Sequence, residues 1–168
     1  VKKGVFSQLN DIAKEGAVLA SNTSYLDIDK IASATDRVGD VIGLHFFSPA
    51  NIMRLLEIVV PTNVKDDVVA TGFQLAKILK KVPVRAGNCD GFIGNRVLEN
   101  YAKAANYMME DGTSPYDIDK AIVEFGYPMG PFQMFDLAGG DIGWADRKRK
   151  AAFRSNEERY VSIADRIC

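Results

Sequence analysis

One histidine, one tryptophan and two cysteines are the rarest residues in this 168-residue sequence. With His45 alone, no His-rich metal cluster can form. Cys89 and Cys168 can build neither a disulfide framework nor a four-ligand zinc site, and metal ligands are not expected. Such sparse cysteine fits a reducing compartment. No apolar run approaches the ~20 residues of a membrane span, and Val1 opens no signal-peptide pattern. Neither charge sign dominates: 21 Lys and Arg stand against 22 Asp and Glu, for a net charge of -1. A global basic field for nucleic acid is thereby excluded. What is present is ordinary globular material, 47% hydrophobic and 26% charged. That composition excludes disorder, collagen-like repeats and coiled coil, and the length suits one domain or one and a fraction.

The first part of the chain alternates helix and strand. Val5, Leu9, Ile12 and Ala13 make one apolar stripe over residues 5–15, as an amphipathic helix should, and Gly16 stops it. Residues 17–20 read as a short buried strand running into Ser21-Asn22-Thr23-Ser24, and a short helix is expected over 28–33. Residues 41–47 and 55–60 read as strands stopped by Pro49 and Pro61. Asn63, with Asp66 three positions on, is the expected N-cap of a helix over 64–81, and residues 82–85 close the series as a strand. This alternation predicts a layered α/β sheet.

From Gly91 the pattern turns all-helical. Residues 92–111 form a long helical stretch ended by Gly112. Ser114-Pro115 reads as an N-cap followed by proline at the first helical position, leading residues 116–125. After the break at 126–131, helices are expected over 132–153 and 157–167. The boundary is placed near Asn88–Asp90, giving domains 1–88 and 89–168 with no linker.

Chemistry concentrates at a few positions. His45 sits in an apolar strand just before a Ser48-Pro49 turn, at the carboxyl end where open α/β sheets build their sites. Glu57 lies in the next strand between Leu56 and Ile58, where a lone carboxylate is costly unless paired. Within these two strands His45 and Glu57 can satisfy each other. A carboxylate holding one imidazole nitrogen leaves the other free to take a proton, the arrangement of a general base; a purely structural core hydrogen bond is the competing reading. Ser21-Asn22-Thr23-Ser24 surfaces at the same edge or caps a helix. Asn95, in the first turn of the long helix, points at a ligand or at a loop.

Taken together, residues 21–24, Leu44-His45-Phe46-Phe47-Ser48-Pro49, Glu57 in its strand, 87–96 (GNCDGFIGNR) and 126–132 (GYPMGPF) resemble L-3-hydroxyacyl-CoA dehydrogenase, colinearly along the whole chain. The wording at 31–37 (IASATDR) and 136–144 (DLAGGDIGW) is most similar to the dehydrogenase part of multifunctional fatty-acid β-oxidation enzymes of the peroxisomal bifunctional type. The resemblance implies the C-terminal half of a Rossmann-type NAD-binding domain followed by an all-α domain. It implies oxidation of L-3-hydroxyacyl-CoA to 3-ketoacyl-CoA with NAD. His45 then matches the base and Glu57 the carboxylate that orients it. Ser24 and Asn95 match the substrate-holding residues, while Ser24, Asn22 and Ser48 lie toward the cofactor. Ser48 departs from the asparagine that single-function relatives often carry there. A peroxisomal setting is implied, with mitochondrial matrix or bacterial cytoplasm as alternatives.

One family feature is missing. No G-x-G-x-x-G loop follows a strand, and Gly91 with Gly94 gives only G-x-x-G at a helix start. In the family that loop precedes the segment with which this sequence opens, so the chain is expected to be a fragment that by itself binds NAD weakly or not at all and is inactive. A homodimer through the helical domain or the truncated sheet face is expected. Two other classes compete: another β-hydroxyacid or sugar-nucleotide dehydrogenase, which often relies on a lysine base where this chain has His45, and a non-enzymatic structural relative of the λ-crystallin type. Arg147-Lys148-Arg149-Lys150 with Arg154 is the one basic cluster, read as a solvated face or as a contact for CoA phosphates or a neighbouring domain. Trp144, Phe132, Met134 and Phe135 read as helix core.

Overall fold

A computed structural model describes residues 1–167; Cys168 lies outside them. The chain divides into two compact units, Val1–Arg96 and Val97 onward.

In the first unit, α1 (Lys2–Ile12), β1 (Leu19–Ser21) and α2 (Ile28–Ala32) precede β2 (Val41–Phe46), β3 (Leu55–Val60), α3 (Asp66–Ile78) and β4 (Val82–Gly87). The strands form one sheet in the order β1-β2-β3-β4, parallel at both edges and antiparallel between β2 and β3. Ile42, Val41, Leu56, Ile58 and Val59 in the two central strands are fully buried, as strands covered on both faces must be. The two-residue period of side chains sorts them to opposite faces. Ile42, Leu44, Leu56 and Ile58 pack with Val68 and Ala76 of α3. Val41 and Val59 pack on the other face with Phe6, Ile28, Ile31 and Phe92. His45 and Glu57 have the parity of Val41 and Val59 and so point to that second face.

Gly43 shows how tightly that face is filled. It pairs with Val59, and a Cβ added to it would stand 2.7 Å from Val59 Cβ and 3.2 Å from Ile28 Cδ1. Overfilled cores lose about 1–3 kcal/mol. Gly43→Ala is expected to destabilise the chain by that amount in urea unfolding with the slope unchanged; an unchanged midpoint would contradict the packing.

Arg37 closes the α1 end of the unit by donating to the carbonyls of Lys14 (3.0 Å) and Ala17 (2.7 Å) and to Asp40 (3.1 Å). The expected Asn63 cap does not form. The helix α3 starts at Asp66 with Lys65 as N-cap and no side-chain capping bond. Asp66 and Asp67 instead place negative charge at the positive end of the helix dipole, and Lys65 pairs with Asp40 at 2.7 Å.

The helix α4 (Gly94–Glu110) leads into the second unit, followed by α5 (Pro115–Phe125), α6 (Pro131–Ala138) and α7 (Gly140–Lys150). Ser114 caps α5 as expected, its hydroxyl accepting from Tyr116 N at 3.3 Å. Buried Asp119 accepts from Phe132 N and Gln133 N, both at 2.9 Å, and so takes up donors that the start of α6 leaves open. Two helix expectations are corrected. The stretch 132–153 breaks at Gly139, whose φ of 84° is outside helical space, and ends in a 3-10 turn over Ala151–Phe153. Residues 157–167 hold one 3-10 turn, Ile163–Arg166, because the segment before it is tied elsewhere. Arg159 binds Glu110 and Asp111 at 2.7 and 2.6 Å, and Glu158 pairs with Lys103.

The basic cluster is largely neutralised in place. Arg147 pairs with Asp165 at 2.6 Å, Arg149 with Asp146, and Lys150 with Glu99 (3.2 Å) and Asp146 (3.1 Å), while Lys148 lies 4.7 Å from the Trp144 ring centre. Trp144 is half-buried beneath these cations. Among the described residues no helix is long and apolar enough to cross a membrane, and no group of three His, Cys, Asp or Glu residues could hold a metal ion.

Candidate active site

β1 and β2 are parallel, so the segment after Ser21 and the end of β2 emerge at one edge of the sheet. Antiparallel pairing of β2 with β3 sets His45 directly opposite Glu57. The two side chains meet there: His45 Nδ1 lies 2.7 Å from Glu57 Oε2, with 3% of His45 and none of Glu57 exposed. Phe47 and Phe92 wall the imidazole, their ring centres 4.5 and 5.5 Å from it.

The other carboxylate oxygen is held by backbone. From the end of β4 the chain runs back across this face, and Ile93 N and Gly94 N donate to Glu57 Oε1 at 3.0 and 2.7 Å. Burial pushes the carboxyl upward. The bonds from His45, Gly94 and Ile93 and the attraction of His45 outweigh it, so the Glu57 pKa lies below its ordinary value. With Glu57 ionised and acceptor-only, the proton between the pair belongs to His45 Nδ1. The neutral imidazole therefore carries its lone pair on Nε2.

Asn22, Ser24 and Asn95 gather at the same edge. Asn22 Oδ1 accepts from Phe46 N at 3.2 Å, one residue after His45. Asn95 Nδ2 donates to the carbonyl of Ser24 at 3.4 Å. The Ser24 hydroxyl and the Asn22 amide nitrogen make no hydrogen bond among the described residues, which leaves a donor from each for a ligand. Ser48 is exposed beyond β2 and is tied to none of these groups.

Sequence reasoning missed the backbone donors at 93 and 94, because N–H groups have no side-chain signature; the G-x-x-G spacing of Gly91 and Gly94 was their one trace. It also missed Lys2, whose ammonium reaches Asn22 O at 3.1 Å and Ser21 Oγ at 3.4 Å from α1.

The donor set tests the fit of NAD. Ser24 and Asn22, at the edge where β2 ends, are the residues that would hold the nicotinamide end, each with a donor to offer it. The pyrophosphate has no cradle among the described residues. β1 leads into Ser21–Ser24 and β2 into Ser48-Pro49, while the glycine pair after β4 serves Glu57. The N–H groups of that turn, at Ile93 and Gly94, are already taken by Glu57 Oε1.

The chain matches the family model for the NAD-binding domain of 3-hydroxyacyl-CoA dehydrogenase over residues 1–89 and that for its C-terminal domain over 91–168. It is 46% identical to the peroxisomal bifunctional enzyme of Cavia porcellus across its whole length. It spans about a quarter of the length of that relative, 25%. Among solved structures it is similar to FadB2 of M. tuberculosis, with a TM-score of 0.89 and 33% identity over 99% of this chain and 60% of that one. It is also similar to 3-hydroxybutyryl-CoA dehydrogenase of Escherichia coli, with a TM-score of 0.86 and 32% identity over 98% of this chain and 36% of that one. Both units, the His45–Glu57 pair and the family match over nearly every residue agree: the chain belongs to the 3-hydroxyacyl-CoA dehydrogenase family.

Proposed function

We propose that this chain supplies the general base and the substrate-holding edge of an NAD-dependent dehydrogenase that oxidises L-3-hydroxyacyl-CoA to 3-ketoacyl-CoA. The observation that carries this reading is the buried His45–Glu57 pair, 2.7 Å apart; with the shared proton on Nδ1, Nε2 is left as the acceptor. NAD, when bound, supplies the acceptor for the hydride at C3. The chain's own work is proton transfer and positioning. His45 Nε2 takes the proton of the 3-hydroxyl, and Glu57 stabilises the imidazolium that results. The Ser24 hydroxyl steadies the reacting oxygen as charge develops on it, and the Asn95 amide holds the thioester carbonyl. A positioned base of this kind contributes roughly 10²- to 10⁴-fold.

On this reading residues 1–88 are the nucleotide-side portion and 89–168 the helical portion. Self-association through the helical portion or the sheet edge fits the family architecture, and sedimentation velocity of the chain reads it. The name of the Cavia porcellus relative favours a peroxisomal setting.

The test uses the chain in two contexts. Alone, it is expected to show weak or no NAD binding and no acetoacetyl-CoA-dependent NADH oxidation, since the described residues hold no pyrophosphate cradle. Placed in the matching quarter of the Cavia porcellus enzyme, it is expected to restore turnover. A folded chimaera without dehydrogenase activity would contradict the proposal.

A further inference from the structure

Glu57 is fully buried, yet it is held by four groups from two directions: the β-ladder of its own strand, His45, and two consecutive N–H groups. The last two come from a turn with an unusual backbone. Phe92 has a φ of 48°, a left-handed conformation that a bulky aromatic residue seldom adopts, and it is 1% exposed. A residue in that region followed by successive inward N–H groups is the geometry of an anion-binding nest. Here the anion is the protein's own carboxylate. The turn is anchored at its start by Asn88, which accepts from Ile28 N at 3.0 Å and donates to Asp27 and Asp29, both at 2.7 Å. At its end, Gly94 approaches the Phe47 ring too closely for any Cβ.

We propose that the nest over residues 92–94 is the positioning element of the catalytic pair: it seats Glu57 Oε1, turns Oε2 to His45 Nδ1, and so decides which imidazole nitrogen is left to take a proton. The inference rests on the reading of His45 as the base and adds the device that orients it. Ile93, Gly94 and Phe92 touch neither substrate nor cofactor in this account; they act through Glu57. Without the nest, a fully buried carboxylate would have one hydrogen-bond donor, and protonation would become its cheapest response to burial. A protonated Glu57 can no longer require the Nδ1–H tautomer. The charged or titratable side chains on the flanking elements include His45 on β2, Arg85 on β4, Asp27, Asp29 and Lys30 at α2, Lys2 and Lys3 on α1, and Cys89, Asp90 and Arg96 around the start of α4. His45 alone of these hydrogen-bonds Glu57. Arg96 is turned to Cys89 Sγ at 3.6 Å, and the two aspartates are held by Asn88.

The experiment is a pH titration of the 168-residue chain, untagged, by 1H–15N NMR. The amide signals of Ile93 and Gly94 are expected to move together through one transition below the ordinary carboxylate range, and that transition is expected to vanish in Glu57→Gln. Gly94→Pro then removes one nest donor at the first helical position, where proline is tolerated. Gly94→Ala keeps the donor with the same added Cβ, and both are made in a Phe47→Ala background to give that Cβ room. The proline variant is expected to titrate about one pH unit higher than the alanine variant, a tenfold gain in proton affinity of Glu57. Coincident titrations of the two variants would overturn the proposal. So would Ile93 and Gly94 amides that stay flat in the unmodified chain, and that measurement decides the matter if the proline variant fails to fold. Turnover enters neither readout. A nest that behaves as expected in a chain whose chimaera is inactive overturns the proposed function alone, and flat amides beside an active chimaera overturn the nest alone.

Discussion

His45→Gln in the chimaera lowers kcat/KM for 3-hydroxyacyl-CoA by about 10²- to 10⁴-fold, with the fold intact. The magnitude follows from the role. Glutamine keeps much of the volume between the Phe47 and Phe92 rings, so packing changes little. It cannot accept a proton at neutral pH, so the hydroxyl must lose its proton to water. On the proposed reading Ser24 and Asn95, rather than the imidazole, hold the substrate, and the loss is therefore expected to fall on kcat. Steady-state rates in both directions check this. A variant retaining more than a tenth of the wild-type rate would remove His45 from the role of base and reopen the structural reading of the buried pair.

Replacement of Glu57 separates orientation from support. Glu57→Ala leaves the N–H groups of Ile93 and Gly94 and the Nδ1 of His45 without partners in a buried site, and breaking a buried pair in this way costs about 3–5 kcal/mol. Glu57→Gln keeps an oxygen for the two backbone donors and is expected to cost less. It turns an NH2 toward His45, however, so the imidazole must present a lone pair at Nδ1 and carry its proton on Nε2. That is the wrong tautomer for a base, and activity falls by about 10²- to 10⁴-fold although the chain is folded. The pH dependence of stability has a definite sign. Glu57 titrates lower in the folded chain than its ordinary 4.5, so its contribution is present above that value and is lost as pH falls through the folded pKa. Denaturant unfolding from pH 7 down to 3 is expected to lose that acid-sensitive limb in Glu57→Gln. An undiminished limb would place the acid sensitivity elsewhere, for example at Asp40, which Lys65 and Arg37 hold below its ordinary value.

How much of this was legible beforehand follows from where the information sits. The His45–Glu57 pair could be read because a carboxylate between Leu56 and Ile58 demands a partner, and the neighbouring strand carries one candidate. The strands β2 and β3 could be read because their buried runs are bounded by prolines. Ser114-Pro115 could be read because capping is local chemistry. The rest depended on tertiary choices. Asn63 has the residue type of a cap, but the Lys65–Asp40 pair draws the start of α3 two residues further on. Gly139 breaks a helix that its apolar neighbours favour, because its φ is positive. Residues 157–162 have helical composition, yet Glu158 and Arg159 find carboxylate and ammonium partners on α4 and beyond its end that hold the segment irregular. The backbone donors to Glu57 lay furthest out of reach. They come from a position 36 residues away in the chain and involve no side chain of their own.

The scarcity of histidine makes the central claim directly measurable. In the 168-residue chain every imidazole signal belongs to His45. Long-range 1H–15N NMR of the neutral imidazole is expected to find its proton on Nδ1, hydrogen-bonded to Glu57, and a bare, accepting Nε2. A proton on Nε2 with a bare Nδ1 would contradict the account, because the nitrogen assigned to receive the substrate proton would already carry one.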